Sequence, residues 1–242
     1  MGRMTVMVLA ALLATTLGTA SALEVGNHSL KSGVEVEVTY PSLGHDVADA
    51  RIRDWLEAIL ADAMRDMTGV VVSPDIADFT SHIQVGYDTV QASDRVATVI
   101  FNTYTYPARA AHGLTRVDTL NFDQDSGELL SFEDCFDKPE KALEIMASHA
   151  RRLVGESFAE RDLADGLADD DGSWFLDGFT PTRDNYAAFV VEPGGMRIVF
   201  QQYQVLPYVF GLPEAFFLLD MLAPAGPRLE YWGGPDADEP AR

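Results

Sequence analysis

Cysteine is nearly absent from this sequence, because Cys135 is the only one among 242 residues. A single thiol excludes an internal disulfide and any metal site built from several cysteines. The stability of the folded chain therefore has to come from a packed apolar core. The aromatic residues on both sides of the "DCFD" segment are able to bury the thiol.

Basic residues are also scarce, with 17 Lys and Arg against 38 Asp and Glu, a net charge of −21. Such a surface repels polyanions, so the composition argues against nucleic acid and anionic lipid as partners. A basic protein would be attracted, and its association would weaken with salt. The alternative, left open here, is that the acidity only keeps the protein soluble.

Long apolar runs are missing after the first 22 residues. The N-terminus has Arg3, an apolar run over residues 6–13 and small residues up to Ala22, which is the layout of a secretory signal peptide. Cleavage after residue 22 would remove Arg3 and leave a net charge of −22. We therefore expect a periplasmic or secreted protein with no transmembrane segment in its mature part.

Known catalytic and cofactor motifs are lacking as well. The five histidines include no pair at metal-ligand spacing, and no G-x-S-x-G elbow or Gly-rich phosphate loop occurs. The acidic "DQDSGE" and "LADDDGSWFLDG" runs both fail the spacing of a calcium loop. The sequence thus predicts no metal and no cofactor. Paired carboxylates for acid–base chemistry stay open, since acids are abundant and no pair stands out.

What the sequence does contain is a clear pattern of strands and amphipathic helices. Val34, Val36 and Val38 alternate with polar residues, which predicts a strand, and helical spacing then predicts a helix from about Asp46 to Gly69. The later predicted elements are strands at 82–91, 95–106 and 115–123, a turn at 123–127, a helix at 139–158, a loop at 162–178 and a hairpin around the turn at 192–195.

This order predicts an α+β fold, a mainly antiparallel sheet with two amphipathic helices covering one face. Residues 23–223 are predicted to form a single domain. Residues 224–242, rich in Pro, Gly and Asp, are expected to form a loose tail.

Four residues are candidates for a binding site. His112 lies at a crossing between two predicted strands, where a histidine is most often structural, so a ligand role is the minority interpretation. Tyr203, Pro207 and Tyr208 lie in "QQYQVLPYVFG", where amphipathic aromatic residues beside a rigid proline suit a recognition surface. Packing of both tyrosine rings on the core is an equal alternative.

The order of three segments, "YTYPARAAHG", "LNFDQDSGELLSFEDCF" and "RIVFQQYQVLPYVFG", resembles the RsiV-like C-terminal domain family. The resemblance spans about residues 33–222. The matching positions are Tyr104, Tyr106, His112, Asn121, Phe122, Asp123, Gly127, Asp134, Phe136, Phe200, Tyr203, Pro207, Tyr208 and Gly211. One departure is that Arg109 and Ala110 occupy positions where the family has glycines, so any positive φ or close backbone approach that those glycines give must be reached differently here.

The resemblance implies an extracytoplasmic α+β module that recognises another macromolecule and has no catalysis of its own. The family is named for an anti-sigma factor that senses lysozyme, which is a basic protein, so a lysozyme-like partner is the implied ligand. The alternative implied function is an accessory or catalytic domain acting on cell-wall glycan, because a similar domain precedes the deacetylase domain of PdaC.

Overall fold

The computed structural model describes residues 26–30, 34–68, 80–158 and 173–234. The predicted signal peptide at 1–22 therefore lies outside the described residues. The strands are β1 (Gly26–Leu30), β2 (Val34–Val38), β3 (Ser81–Gln91), β4 (Val96–Tyr106), β5 (Leu114–Asp123), β6 (Phe189–Glu192), β7 (Gly195–Val199) and β8 (Glu214–Leu218). The α-helices are α1 (Asp46–Thr68), α2 (Pro139–Phe158), α3 (Ser173–Leu176) and α4 (Leu219–Leu222).

The α+β class is confirmed, and the strands divide between two sheets. The first sheet has the order β1-β2-β3-β4-β5 and the second the order β6-β7-β8. All pairings are antiparallel except β2 with β3. That pair is parallel because α1 returns the chain to the same end of the sheet, as a crossover helix does.

Each long helix covers a different sheet, so the two helices do not share the face of one sheet. The apolar stripe of α1 packs on Val36, Ile83, Val85 and Phe101 of the first sheet. The apolar stripe of α2 packs on the second sheet in a separate core cluster.

The two sheets pack against each other through their remaining faces, where Ile100 and Val117 meet Val190 and Val199. The order of layers is therefore helix, sheet, sheet, helix. Because side chains alternate along each strand, β6 and β7 send one set of residues to α2 and the other set to the first sheet.

Asn121 of β5 ties the second sheet to the first. Its side-chain N–H donates to the Phe189 carbonyl (2.9 Å), and its Oδ1 accepts from the Val191 N–H (3.1 Å) and the Thr98 hydroxyl (2.6 Å). The amide thus occupies the place of a neighbouring strand along the edge of β6. Asn121 is only 2% exposed, so this pairing is part of the core.

The expectation of a loose tail beginning at Pro224 is wrong as far as Gly234. The Tyr231 side chain is buried, its carbonyl accepts from the Ser93 hydroxyl (3.0 Å), and the Trp232 indole N–H donates to the Gly195 carbonyl (2.7 Å). The Pro, Gly and Asp content of the segment gives no indication that these two aromatic residues pack on the core. Their packing orders the chain around them. Residues 235–242 lie outside the described residues.

The structure also describes the predicted turn at 123–127 and part of the predicted loop at 162–178. The turn at 123–127 is confirmed: Asp123 Oδ1 accepts from the Asp125 N–H (2.9 Å), and Gly127 has a φ of 72°. The predicted loop at 162–178 contains helix α3 and the start of a 3-10 helix, while residues 162–172 lie outside the described residues. Within the described ranges, no helix has both the length and the apolar composition needed to span a membrane.

Candidate functional site

The predicted site residues His112, Tyr203 and Tyr208 form one aromatic cluster. The His112 and Tyr208 rings are stacked with centroids 4.1 Å apart, and the Tyr203 ring lies 5.9 Å from that of Tyr208. His112 comes from the loop between β4 and β5, and Tyr208 begins a 3-10 helix that Pro207 precedes. The fold thus joins two segments that are about ninety residues apart in sequence.

Hydrogen bonds fix the tautomer of His112. Its Nδ1 lies 3.0 Å from the Gly113 carbonyl oxygen, which can only accept, so Nδ1 carries a proton. In the neutral ring Nε2 is then an acceptor, and the Tyr203 hydroxyl lies 3.3 Å from it as donor. The Tyr203 hydroxyl and the His112 ring therefore orient each other at the protein surface, where Tyr203 is 43% exposed.

The turn that presents Tyr203 is unusual, since this residue has a φ of 66°. Gln204 holds the turn: its Oε1 accepts from the Gln201 N–H (2.9 Å), and its Nε2 donates to the carbonyls of Gly178 and Asn185 (3.2 and 2.9 Å). A left-handed conformation is unfavourable for a residue with a side chain, and such strain persists only where surrounding bonds enforce it.

The loop that carries His112 contains the second described non-glycine residue with a positive φ, Arg109 at 70°. Arg109 is one of the two positions at which the sequence departs from the glycines of the resembled family. The chain therefore reaches the left-handed conformation here with an arginine. At Gly113, in contrast, a Cβ would lie 2.3 Å from the Tyr104 ring, so a side chain there would require that ring to move.

An open groove of about 730 Å³ adjoins the aromatic cluster at Tyr203. One wall is helix α1, with Trp55 and Ile59 facing the groove. The floor is strand β5, of which every residue from Leu114 to Leu120 lines the groove. The opposite wall comes from the chain before β6 and from the turn after β7. The volume falls in the range of sites that take small ligands or short peptide segments.

Among the residues that the structure describes, the charged side chains that line the groove are those of Asp62, Asp66, Asp118, Asp184 and Arg116. Arg116 is already paired with Asp118, at 2.7 Å, and Asp62 is paired with Arg65 of the same helix, also at 2.7 Å. The other oxygen of Asp118, Oδ2, is buried and has no described partner, and neither do the hydroxyls of Thr103 and Thr119. The groove therefore has surplus negative charge and spare hydrogen-bonding capacity.

Two glutamines close part of the outer edge of β5. The Thr115 N–H donates to Gln202 Oε1 (2.8 Å), and the Val117 N–H donates to Gln201 Oε1 (3.0 Å). The Gln201 amide in turn donates to the Val117 carbonyl (2.7 Å). These two residues belong to the "QQYQ" segment, but no local pattern indicates their role, because the β5 residues that they contact lie 84 and 87 positions away.

Neither a metal centre nor a reactive thiol is present in the part of the chain that the structure describes. No three His, Cys, Asp or Glu side chains there are placed to share a metal ion. Cys135 is fully buried, and burial, with a smaller contribution from Asp134, raises the pKa of its thiol from 9.0 to about 12. At neutral pH Cys135 is therefore an inert core residue.

Residues 133–218 match the family described as "Protein of unknown function (DUF3298)". The matched range contains Gln201, Tyr203, Pro207 and Tyr208, whereas His112 and β5 precede it. A search of curated proteins finds no match to the chain. None of these results tests the RsiV-like resemblance, which stays a prediction.

Two solved structures are similar to this chain. A DUF3298 family protein from Pseudomonas aeruginosa PAO1 is 16% identical, with a TM-score of 0.59 over 90% of this chain and 97% of the other. A member of the same family from Bacteroides fragilis NCTC 9343 is 16% identical, with a TM-score of 0.49 over 82% of this chain and 86% of the other. At this identity the first likeness shows the fold alone.

Proposed function

We propose that this chain is an exported, non-catalytic binding domain that recognises a basic protein, for which lysozyme is the representative partner. The observation that carries the proposal is the groove beside β5, whose described walls present four aspartates and one arginine that is already paired with Asp118. A cationic side chain entering the groove gains the charge of Asp66 and, in competition with Arg65, the charge of Asp62.

The charge of the whole chain supports the same class of partner. At −21 the protein attracts a basic partner over a distance of about one Debye length, which speeds association and makes it sensitive to salt. The exposed tyrosine at the rim supplies the other element of a recognition surface. Tyr203 presents a large, rigid apolar ring with a polar tip, the kind of side chain that is enriched in protein interfaces.

Retention of lysozyme on the immobilised mature chain tests this proposal. We expect retention at low salt that weakens at moderate salt. The double variant Asp62→Asn/Asp66→Asn should bind about tenfold more weakly, because both carboxylates line the groove.

The matched control is Asp54→Asn/Glu57→Gln, which removes two charges from exposed positions of the same helix that do not line the groove. Its affinity should stay within about twofold of the original. Absence of retention at either salt concentration rejects lysozyme as a partner. An equal loss in the two double variants rejects the groove as its site.

Export is part of the proposal and rests on the signal-like layout of residues 1–22. A fusion of these residues to a reporter that is active only outside the cytoplasm should become active. The mature protein, analysed by mass spectrometry, should begin at Leu23. An inactive fusion and an uncleaved N-terminus would remove this part of the proposal.

A further inference from the structure

Strand β5 is an edge strand of the first sheet, since β4 is the one described strand that pairs with it and the rest of its pairing is a single bridge from Phe122 to Leu129. Edge strands carry backbone groups that point away from the sheet and are able to bind another strand. On β5 these groups belong to alternate residues, as the outward bonds of Thr115, Val117 and Asn121 show. Thr119 lies between Val117 and Asn121, and its N–H and C=O point outward by the same alternation.

The outward-pointing backbone N–H and C=O groups of β5 have different hydrogen-bond partners. The Leu130 N–H donates to the Asn121 carbonyl, so the hairpin beyond β5 covers that end of the edge. The side chains of Gln201 and Gln202 cover Val117 and Thr115. For Thr119 no described residue supplies a backbone partner. As far as the described residues show, the edge is thus closed at both ends and open at Thr119, where it forms the floor of the groove.

We propose that the groove receives an extended basic segment of the partner protein, which adds to β5 as a further strand after the Gln201 and Gln202 side chains move aside. This inference rests on the proposed function and specifies how the groove would bind. A side-chain amide offers the same donor and acceptor as a strand backbone, so an incoming strand replaces the Gln201 bonds with equivalent ones. Gln201 is half-buried beside the groove, so its side chain is able to leave Val117 without opening the core.

The walls of the groove determine which residues the added strand carries. Arg116 and Asp118 point to the α1 side of β5, where Asp62 and Asp66 also lie. Val117 points to the other side, where it belongs to the same apolar cluster as Ala188. Successive side chains of the added strand therefore face carboxylates and small apolar residues in turn. The fitting segment alternates Lys or Arg with small β-forming residues.

A synthetic peptide of this pattern, Lys-Thr-Lys-Thr-Lys-Thr-Lys with a fluorophore at one end, is a direct probe. We expect fluorescence anisotropy to show saturable binding to the full chain. The matched peptide with Glu in place of every Lys should not bind. A lysine peptide that fails to bind overturns the inference.

Backbone methylation of the peptide tests the strand geometry. Only alternate N–H groups of an added strand point to β5. Two methylated peptides are compared, one with every Thr backbone nitrogen methylated and one with every Lys backbone nitrogen methylated. One of them should bind at least tenfold more weakly than the parent peptide, and the other should bind nearly as well. Loss in the Thr-methylated peptide indicates antiparallel addition, and loss in the Lys-methylated peptide indicates parallel addition. Equal effects of the two sets overturn the inference.

The Thr119 amide gives an independent readout on the protein. We expect its hydrogen exchange, followed by NMR, to slow at least tenfold when the peptide saturates the groove. The variant Gln201→Ala removes the side chain that competes with the peptide, so it should bind the peptide roughly threefold to tenfold more tightly. Weaker binding by Gln201→Ala, or an unchanged Thr119 amide, contradicts strand addition.

The two levels of the proposal fail in different ways. If lysozyme is retained in a manner that depends on Asp62 and Asp66, while the methylated peptides behave alike, strand addition is rejected and the proposed function stands. If neither lysozyme nor the lysine peptide is retained, the proposed function is rejected together with the inference.

Discussion

Two side-chain amides, those of Asn121 and Gln201, pair with the free edge of a strand, but their surroundings differ. Asn121 bonds the edge of β6 from inside the core, where it is 2% exposed. Gln201 bonds the edge of β5 beside an open groove, where it is half-buried. The same kind of side-chain amide thus bonds two strand edges, that of β6 away from water and that of β5 beside water.

Access of water determines whether such a side-chain amide is a fixed part of the structure or is able to be replaced by another partner. If the Asn121 amide is removed, water has no ready access to the groups it leaves, and they keep the full penalty of an unsatisfied buried group. If the Gln201 amide moves away, water or another chain is able to bond Val117. We therefore expect Asn121 to hold the fold together and Gln201 to guard a binding edge.

The substitution Asn121→Ala is expected to have the largest effect. It leaves the Phe189 carbonyl and the Val191 N–H without partners, so we expect the free energy of unfolding to fall by about 3–4 kcal/mol. Urea denaturation followed by circular dichroism measures the change. A loss below about 1 kcal/mol would show that β6 does not depend on this amide.

The reactivity of Cys135 measures, without a denaturant, how much the loss of either amide increases opening of the core. Its thiol is buried in the core cluster that also contains Phe189 and Val191, whose backbones Asn121 bonds. We expect the native protein to react very slowly with a disulfide reagent at pH 8, since burial raises the pKa of this thiol to about 12. Asn121→Ala should react roughly 100-fold to 1000-fold faster, because a loss of about 3–4 kcal/mol makes opening more frequent by about that factor.

For comparison, Gln201→Ala should change the rate of Cys135 modification by less than about fivefold. A reagent that modifies the native thiol rapidly would contradict the packing around Cys135. Similar acceleration in both variants would contradict the distinction between the two amides.

The smallest expected effect is that of Gln201→Ala on stability. Two bonds to Val117 are lost, but water is able to replace them, so the free energy of unfolding should fall by only about 1 kcal/mol. Thermal unfolding of the same sample that binds the peptide provides the measurement. A loss as large as that of Asn121→Ala would mean that Gln201 is a core residue and not a displaceable one.

Much of the local structure was predictable because it depends on the spacing of neighbouring residues. The predicted bounds 139–158 of the second helix agree with those of α2, and the first helix and the strands β3, β4 and β5 agree within a few residues. The division into two sheets was not predictable, because it depends on contacts between distant parts of the chain, such as the bonds of Asn121 to β6 about seventy residues away.

The candidate site was predictable in part. The aromatic residues of "QQYQVLPYVFG" and His112 stood out by composition, and the fold does place His112, Tyr203 and Tyr208 in contact. Their binding role stays a prediction. The groove itself left no local signal, since its aspartates are spread over α1, β5 and the chain before β6 among 38 acidic residues.

By itself the sequence determined the surplus of negative charge, the apolar stripes of the helices and the alternation of the strands, because each depends only on which residues follow one another. The tertiary structure decided which strand edges are sealed and which stay free. That outcome depends on side chains such as Asn121 and Gln201 meeting backbone groups from distant parts of the chain, and on whether water reaches the place where they meet.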